Sequence, residues 1–230
     1  MTQRCTTCHK TPPEVTLKHC AKCSVTFYCS RDCQKADWKA HKKVCGKDGP
    51  QPPMLSPPKG VDQGITEPFT RLDNGTWLHN RSEKDVYRLL LDAYRLRVED
   101  TYALEGEIEA NSLYAGAPSG LKGFGHFLRL AGSRGGLLPP WWNAEKQSEC
   151  EDFGMDSSQF QNLRCAVEKS DIIEHYGDPR FPMQLRMFAE AVYCRGPAGH
   201  DGTAMRKMMV AMEQGTAGPE SRVASMVTLT

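Results

Sequence analysis

The 230-residue sequence predicts two unlike parts: a small N-terminal module too short to hold itself together by packing, and a mainly α-helical domain after it. Three observations carry this division. Cysteine and histidine crowd the first 45 positions, and prolines crowd positions 50–58. Beyond them, helix starts, stops and amphipathic repeats recur at ordinary globular spacing.

The first part is the most informative. Cys5-x2-Cys8, Cys20-x2-Cys23, Cys29-x3-Cys33 and His41-x3-Cys45 give eight candidate ligands in four pairs. Zinc takes four soft or borderline ligands in a tetrahedron, and gaps of two or three residues let one turn present two of them. A disulfide framework would need an oxidising compartment. The opening MTQRCTTC shows no apolar signal segment, so reduced thiols in nucleus or cytoplasm are expected instead. Four protein ligands per ion leave no position for water, which makes both sites structural rather than hydrolytic. A module of this length buries little apolar surface, so the metal must supply most of its folding free energy.

The spacing C-x2-C-x11-C-x2-C-x5-C-x3-C-x7-H-x3-C, with Phe27-Tyr28-Cys29-Ser30 and Cys33-Gln34-Lys35-Ala36-Asp37-Trp38 inside it, resembles the MYND zinc finger over residues 5–45. A RING finger places its histidine near the middle of the ligand series, whereas here it is seventh of eight. The resemblance implies interleaved pairs: Cys5, Cys8, Cys29 and Cys33 on one zinc, and Cys20, Cys23, His41 and Cys45 on the other. It also implies a module that takes proline-rich ligands of the type P-x-L-x-P, through a glutamine and a tryptophan four residues apart. Gln34 and Trp38 match that pair, and their i, i+4 spacing puts both on one helix face. The same spacing suits a tryptophan packed on the metal knuckles. Locally, Val15-Thr16-Leu17 and Val25-Thr26-Phe27-Tyr28 read as a short hairpin, and Ser30 as the cap of one or two short helices over residues 31–44.

Charge narrows the partners. Residues 1–47 hold ten Lys or Arg against Glu14, Asp32 and Asp37, a formal +7. Seven thiolates and two zinc ions would reduce this to about +4. With +1 overall, the rest of the chain is acidic. No aromatic residues interleave the basic ones and no helix carries a dense basic stripe, so nucleic acid is not the expected partner. No apolar run suggests a membrane span.

Residues 48–63 read as a proline-rich linker. Within it, Pro53-Met54-Leu55-Ser56-Pro57 is itself P-x-L-x-P. Pro53, Leu55 and Pro57 are therefore candidate occupants of the chain's own finger, or of a second copy's through residues 52–58. An extended linker explains the same prolines more simply.

Residues 64–213 form the second folded part. Asp73-Asn74-Gly75 suggests a tight turn between two short strands within residues 69–79. Ser82 with Asp85 marks a helix start, running toward about residue 110. Residues 124–131 read as a short helix, Asn143 as the cap of one reaching Phe153, and Ser157 or Ser158 as the cap of one reaching His175. Leu185, Phe188, Ala189, Val192 and Tyr193 follow an amphipathic repeat. Residues 203–213 add a last helix, and residues from 214 onward read as a disordered tail. Cys150, Cys165 and Cys194 are expected as buried apolar residues on helices. Gly120-x-x-Gly123-x-Gly125 lacks the full phosphate-loop pattern and reads as a loop-to-helix entry. Leu137-Leu138-Pro139-Pro140-Trp141-Trp142 and Ala166-Val167-Glu168-Lys169-Ser170-Asp171 are similar to fungal MYND-finger proteins, a likeness that implies no activity.

The expected fold is thus a small two-zinc cross-braced MYND finger followed by a mainly α-helical domain with a short β-hairpin. The expected function is that of an adaptor rather than an enzyme, capturing proline-rich partners in transcriptional control or a ubiquitin-ligase complex. An enzyme in the helical region recruited by the finger, or a nucleic-acid-binding regulator, are the alternatives. The asparagine-histidine stretch and closing cysteine-rich segment of SET methyltransferases are not found in the sequence.

Overall fold

The computed structural model describes residues 4–20, 26–43, 45 and 55–216. It divides the chain between Met54 and Leu55 into two compact units.

The first unit is built from three short elements. Strands β1 (Lys18–His19) and β2 (Phe27–Tyr28) pair antiparallel, with Lys18 opposite Tyr28 and His19 opposite Phe27. The hairpin's first strand lies just past the expected Val15–Leu17. Ser30 then starts helix α1 (Arg31–His41), its hydroxyl accepting from the Cys33 amide at 3.2 Å. Such a cap satisfies one of the donors a helix start leaves open. The buried cluster here is Cys20, Tyr28 and Cys45 with Cys33 packed against it. No aliphatic side chain takes part among the described residues.

Among the described residues the second unit is mainly helical: α2 (Pro68–Asp73), α3 (Glu83–Ala103), α4 (Leu121–Ser133), α5 (Ala144–Met155), α6 (Lys169–Tyr176), α7 (Phe181–Tyr193) and α8 (Thr203–Glu213). Ser82 caps α3 through the Asp85 amide and Asn143 caps α5 through the Lys146 amide. Residues 89–98 of α3 are buried on every side. A helix enclosed all round is the centre of a core, and α4, α5 and α7 pack about it. Trp77, Phe124, Phe127, Phe181 and Phe188 fill the space between.

Enclosing α3 also buries its charges, and Asp92 and Asp100 are both met. Asp92 pairs with Arg95 at 2.8 Å and accepts from Gln161 and from the Tyr176 hydroxyl. Asp100 accepts both arms of Arg186, at 2.8 and 2.6 Å. Burial and the Asp92 carboxylate push the Tyr176 phenol well above its ordinary range. At the other end, the Glu213 carboxylate of α8 accepts from the Phe69 and Thr70 amides, closing the start of α2.

Several expectations are corrected. Residues 69–79 are not two strands. Pro68 suits the first turn of a helix, and Asn74-Gly75 ends that helix instead of turning a hairpin, with Gly75 at φ 71°. Helix α3 stops at Ala103, short of residue 110. Residues 157–168 are not helical, because Leu163 donates to Gly154 and accepts from Gly120, spending its backbone on its neighbours. Helix α6 begins only at Lys169, where the Glu168 amide donates to Asp171. Cys150 is buried as expected, but Cys165 and Cys194 are exposed and lie outside the helices, Cys194 in the left-handed region at φ 54°. The expectation for the tail beyond Thr216 falls outside the described residues.

The linker is corrected too. Residues 55–63 belong to the helical unit. Ser56 exchanges both backbone hydrogen bonds with Ile65, at 2.9 and 3.0 Å. Its hydroxyl donates to Asp178 at 2.7 Å and accepts from Gln184 at 2.7 Å. Proline content predicts a segment spanning a gap between domains, whereas this one is bonded down onto the helices.

Candidate metal centres and finger surface

Two clusters assemble within the first unit. The sulfurs of Cys5, Cys8, Cys29 and Cys33 all lie within 4.8 Å of one another, as do the ligand atoms of Cys20, His41 and Cys45. Cys23, expected to complete the second set, lies outside the described residues. The hairpin and α1 interleave the two sets. Cys20 follows β1, Cys29 follows β2, and α1 carries Cys33 near its start and His41 at its end.

The distances discriminate between metal and disulfide. Cys8 and Cys29 sulfurs are 3.4 Å apart, Cys29 and Cys33 3.6 Å, and Cys20 and Cys45 3.8 Å. A disulfide needs about 2.05 Å. A tetrahedron with zinc–sulfur bonds of about 2.3 Å separates its sulfurs by about 3.8 Å. The donor sets therefore fit zinc, all-thiol in the first cluster and mixed thiol and imidazole in the second.

Electrostatics asks for the same cation. Burial opposes ionisation of Cys5, yet the backbone amides of Cys8, Cys29 and Thr7 bring its thiol down to about 6. Cys29 is pushed up to about 12, first by its contact with Cys8 and then by Cys33. Four thiolates cannot share so small a volume unaided, and a divalent ion removes the conflict. The Cys29 amide donates to the Cys5 sulfur at 3.5 Å, and Thr7 Oγ1 to the Cys33 carbonyl at 2.7 Å, locking the knuckle to α1. The Tyr28 hydroxyl donates to Asp37 at 2.7 Å. Cys33, Asp37 and His41 thus form the inward stripe of α1. The role of Asp37 is not legible in the sequence, because nothing there pairs it with Tyr28.

Gln34 and Trp38 flank that stripe. Gln34 is half-buried, while Trp38 is 42% exposed although its ring lies 5.9 Å from the His41 ring. Packing on the knuckle and facing outward are therefore both true of Trp38.

Of the proline-rich candidates, Pro53 is outside the described residues, Leu55 is 45% exposed and Pro57 is buried in the helical unit. Ser56 and Pro57, two of the five residues of the candidate ligand, are thus held in the helical unit. In the helical unit, Trp141 lines an open cleft of ≈550 Å³ with His79, Asn80, Pro139 and Pro140, while Trp142 packs edge-on to Tyr87. No helix among the described residues is long and apolar enough to cross a membrane.

The MYND finger family model matches the chain over residues 5–45, the segment holding both clusters. Residues 5–45 form a MYND finger. SET domain and MYND-type zinc finger protein 6 of Schizosaccharomyces pombe is 47% identical over 45 residues, which cover 20% of this chain and 9% of that protein. Human Tudor domain-containing protein 1 is 48% identical over 42 residues, covering 18% of this chain and 4% of its own length. Egl nine homolog 1 of mouse is 36% identical over 55 residues, covering 21% and 14%. The chain thus matches only a small fraction of each of these relatives. The likeness to SET and MYND proteins runs through the finger region alone. No solved structure matches the chain.

Proposed function

We propose that this protein is a zinc-stabilised adaptor, not an enzyme, whose finger captures extended proline-rich partners of the P-x-L-x-P type. The supporting observation is Trp38, a large apolar ring left exposed on a helix that the two metal clusters pin at both ends. Exposed aromatics on rigid supports are favoured binding anchors, since little freedom is lost when they are covered. Gln34, one turn earlier, offers an amide to the backbone of a peptide already extended by its prolines. Cys5, Cys8, Cys29 and Cys33 would hold one zinc, and Cys20, Cys23, His41 and Cys45 the other. The ions hold the surface in shape and take no part in chemistry. Nuclear or cytoplasmic partners in transcriptional control or ubiquitin ligation suit such an adaptor.

The test is binding of a P-x-L-x-P peptide to wild type, Gln34→Ala and Trp38→Ala, with zinc content measured in parallel. Trp38→Ala should weaken binding by about 2 kcal/mol, roughly thirtyfold, with two zinc ions retained. Equal affinity in both variants would remove this face from the proposal.

A further inference from the structure

The helical unit contains a second feature, remote in kind from the finger. An open cleft of ≈390 Å³ is lined by residues 109–111, by Lys122, Gly123, His126 and Arg129 of α4, and by Tyr193 at the end of α7. Lys122, His126 and Arg129 stand at i, i+4 and i+7, so they share one helix face. All three are exposed. Neither Lys122 nor Arg129 forms an ion pair among the described residues. Arg129 instead donates to Nδ1 of His126 at 3.3 Å, which puts the neutral imidazole's proton on Nε2.

Behind this wall lies an excess of unused donors. Tyr94 and Arg97 of α3 are only 2% and 7% exposed. The Tyr94 hydroxyl and the Nε and Nη1 of Arg97 have no hydrogen-bond partner; Arg81 supplies the only other such buried atoms among the described residues. Arg97 Nη1 lies 2.9 Å from Glu105, close enough for an ion pair but outside hydrogen-bond alignment. The guanidinium sits 5.7 Å from the Tyr193 ring centroid, so it backs the residue that forms one side of the cleft. Gly123 is fixed by the same arrangement, since a Cβ there would collide with the Tyr94 hydroxyl oxygen. A bare backbone therefore lines the cleft between Lys122 and His126. Glu109 is its acidic residue. Burial holds that carboxyl above its ordinary value despite Arg97 and His126.

We infer that this cleft binds the phosphoryl group of a small phosphate ester, held by Lys122, His126 and Arg129 with its organic part against Tyr193. Two permanent cations without an ion pair on one helix face, Lys122 and Arg129, suit a dianion better than a single carboxylate. The cleft's volume is that of a small-ligand pocket.

Glycerol 3-phosphate titrated into the full chain at constant ionic strength, followed by amide NMR, tests this. Saturable shifts are expected at Gly123, His126 and Tyr193. Lys122→Gln and Arg129→Gln should each weaken binding by about tenfold, the loss of one charge-assisted hydrogen bond, while Lys122→Arg retains it. Both side chains are exposed, so an unchanged helical circular-dichroism signal confirms that the variants are folded. Shifts that grow without saturating, or glutamine variants that bind as well as wild type, would overturn the inference. Inorganic phosphate binding as tightly as the ester would overturn the assignment to an ester.

Discussion

The two units of this chain solve the same problem with opposite means. In the helical unit, α3 is wrapped by three helices and by aromatic rings, and stability comes from apolar area removed from water. In the finger, the buried centre is sulfur, imidazole and one tyrosine. The first arrangement is additive and tolerates local damage. The second gathers two clusters of residues that could hold a metal ion, and it leaves Trp38 exposed.

Metal removal separates the units most sharply. Chelation should unfold the finger almost completely, since structural zinc contributes on the order of 10 kcal/mol to such modules. The helical circular-dichroism signal should fall only by the share of α1. Loss of the whole helical signal would show that the units are not independent. Next in size is a cavity in the helical core. Phe124→Ala should cost about 3–5 kcal/mol in denaturant unfolding of the helical unit, with zinc content unchanged.

Ser56→Ala tests where the boundary between the units falls. It removes the hydroxyl that joins Asp178 to Gln184, and should lower the stability of the helical unit by about 1–3 kcal/mol. No effect would return residues 55–63 to the status of a linker. The smallest effect is expected at Leu55→Ala. Because Ser56 and Pro57 are held by the helical unit, affinity for an external P-x-L-x-P peptide should not change. A gain in affinity would revive a self-occupied finger.

Legibility in the sequence divides along the same line. The finger is readable because metal geometry constrains spacing along the chain, so seven cysteines and one histidine at fixed intervals leave few alternatives. In the helical unit, the starts at Ser82 and Asn143 are readable, since a cap acts within three residues. Asn74-Gly75 misleads because a left-handed glycine ends a helix as readily as it turns a hairpin. Residues 157–168 and Ser56 mislead for a different reason. Their conformation is set by Gly154, Gly120, Asp178 and Gln184, partners far away in sequence for all but the first. The donors behind the Lys122 cleft are likewise invisible, for Arg97 and Tyr94 read simply as helix residues.

Helix α1 also sets a ruler between the metals. It carries a ligand of each cluster, Cys33 and His41, eight residues apart. At about 1.5 Å per residue that is a fixed strut of about 12 Å, and each added residue rotates the downstream side chains by about 100°. A single insertion between Cys33 and His41 would swing the imidazole to the wrong side of the helix and open both clusters at once. The stretch between Cys8 and Cys20 has no such ruler, and length changes there should be absorbed. Among descendants of this sequence, gaps and insertions should accumulate in that loop and stay out of the helix.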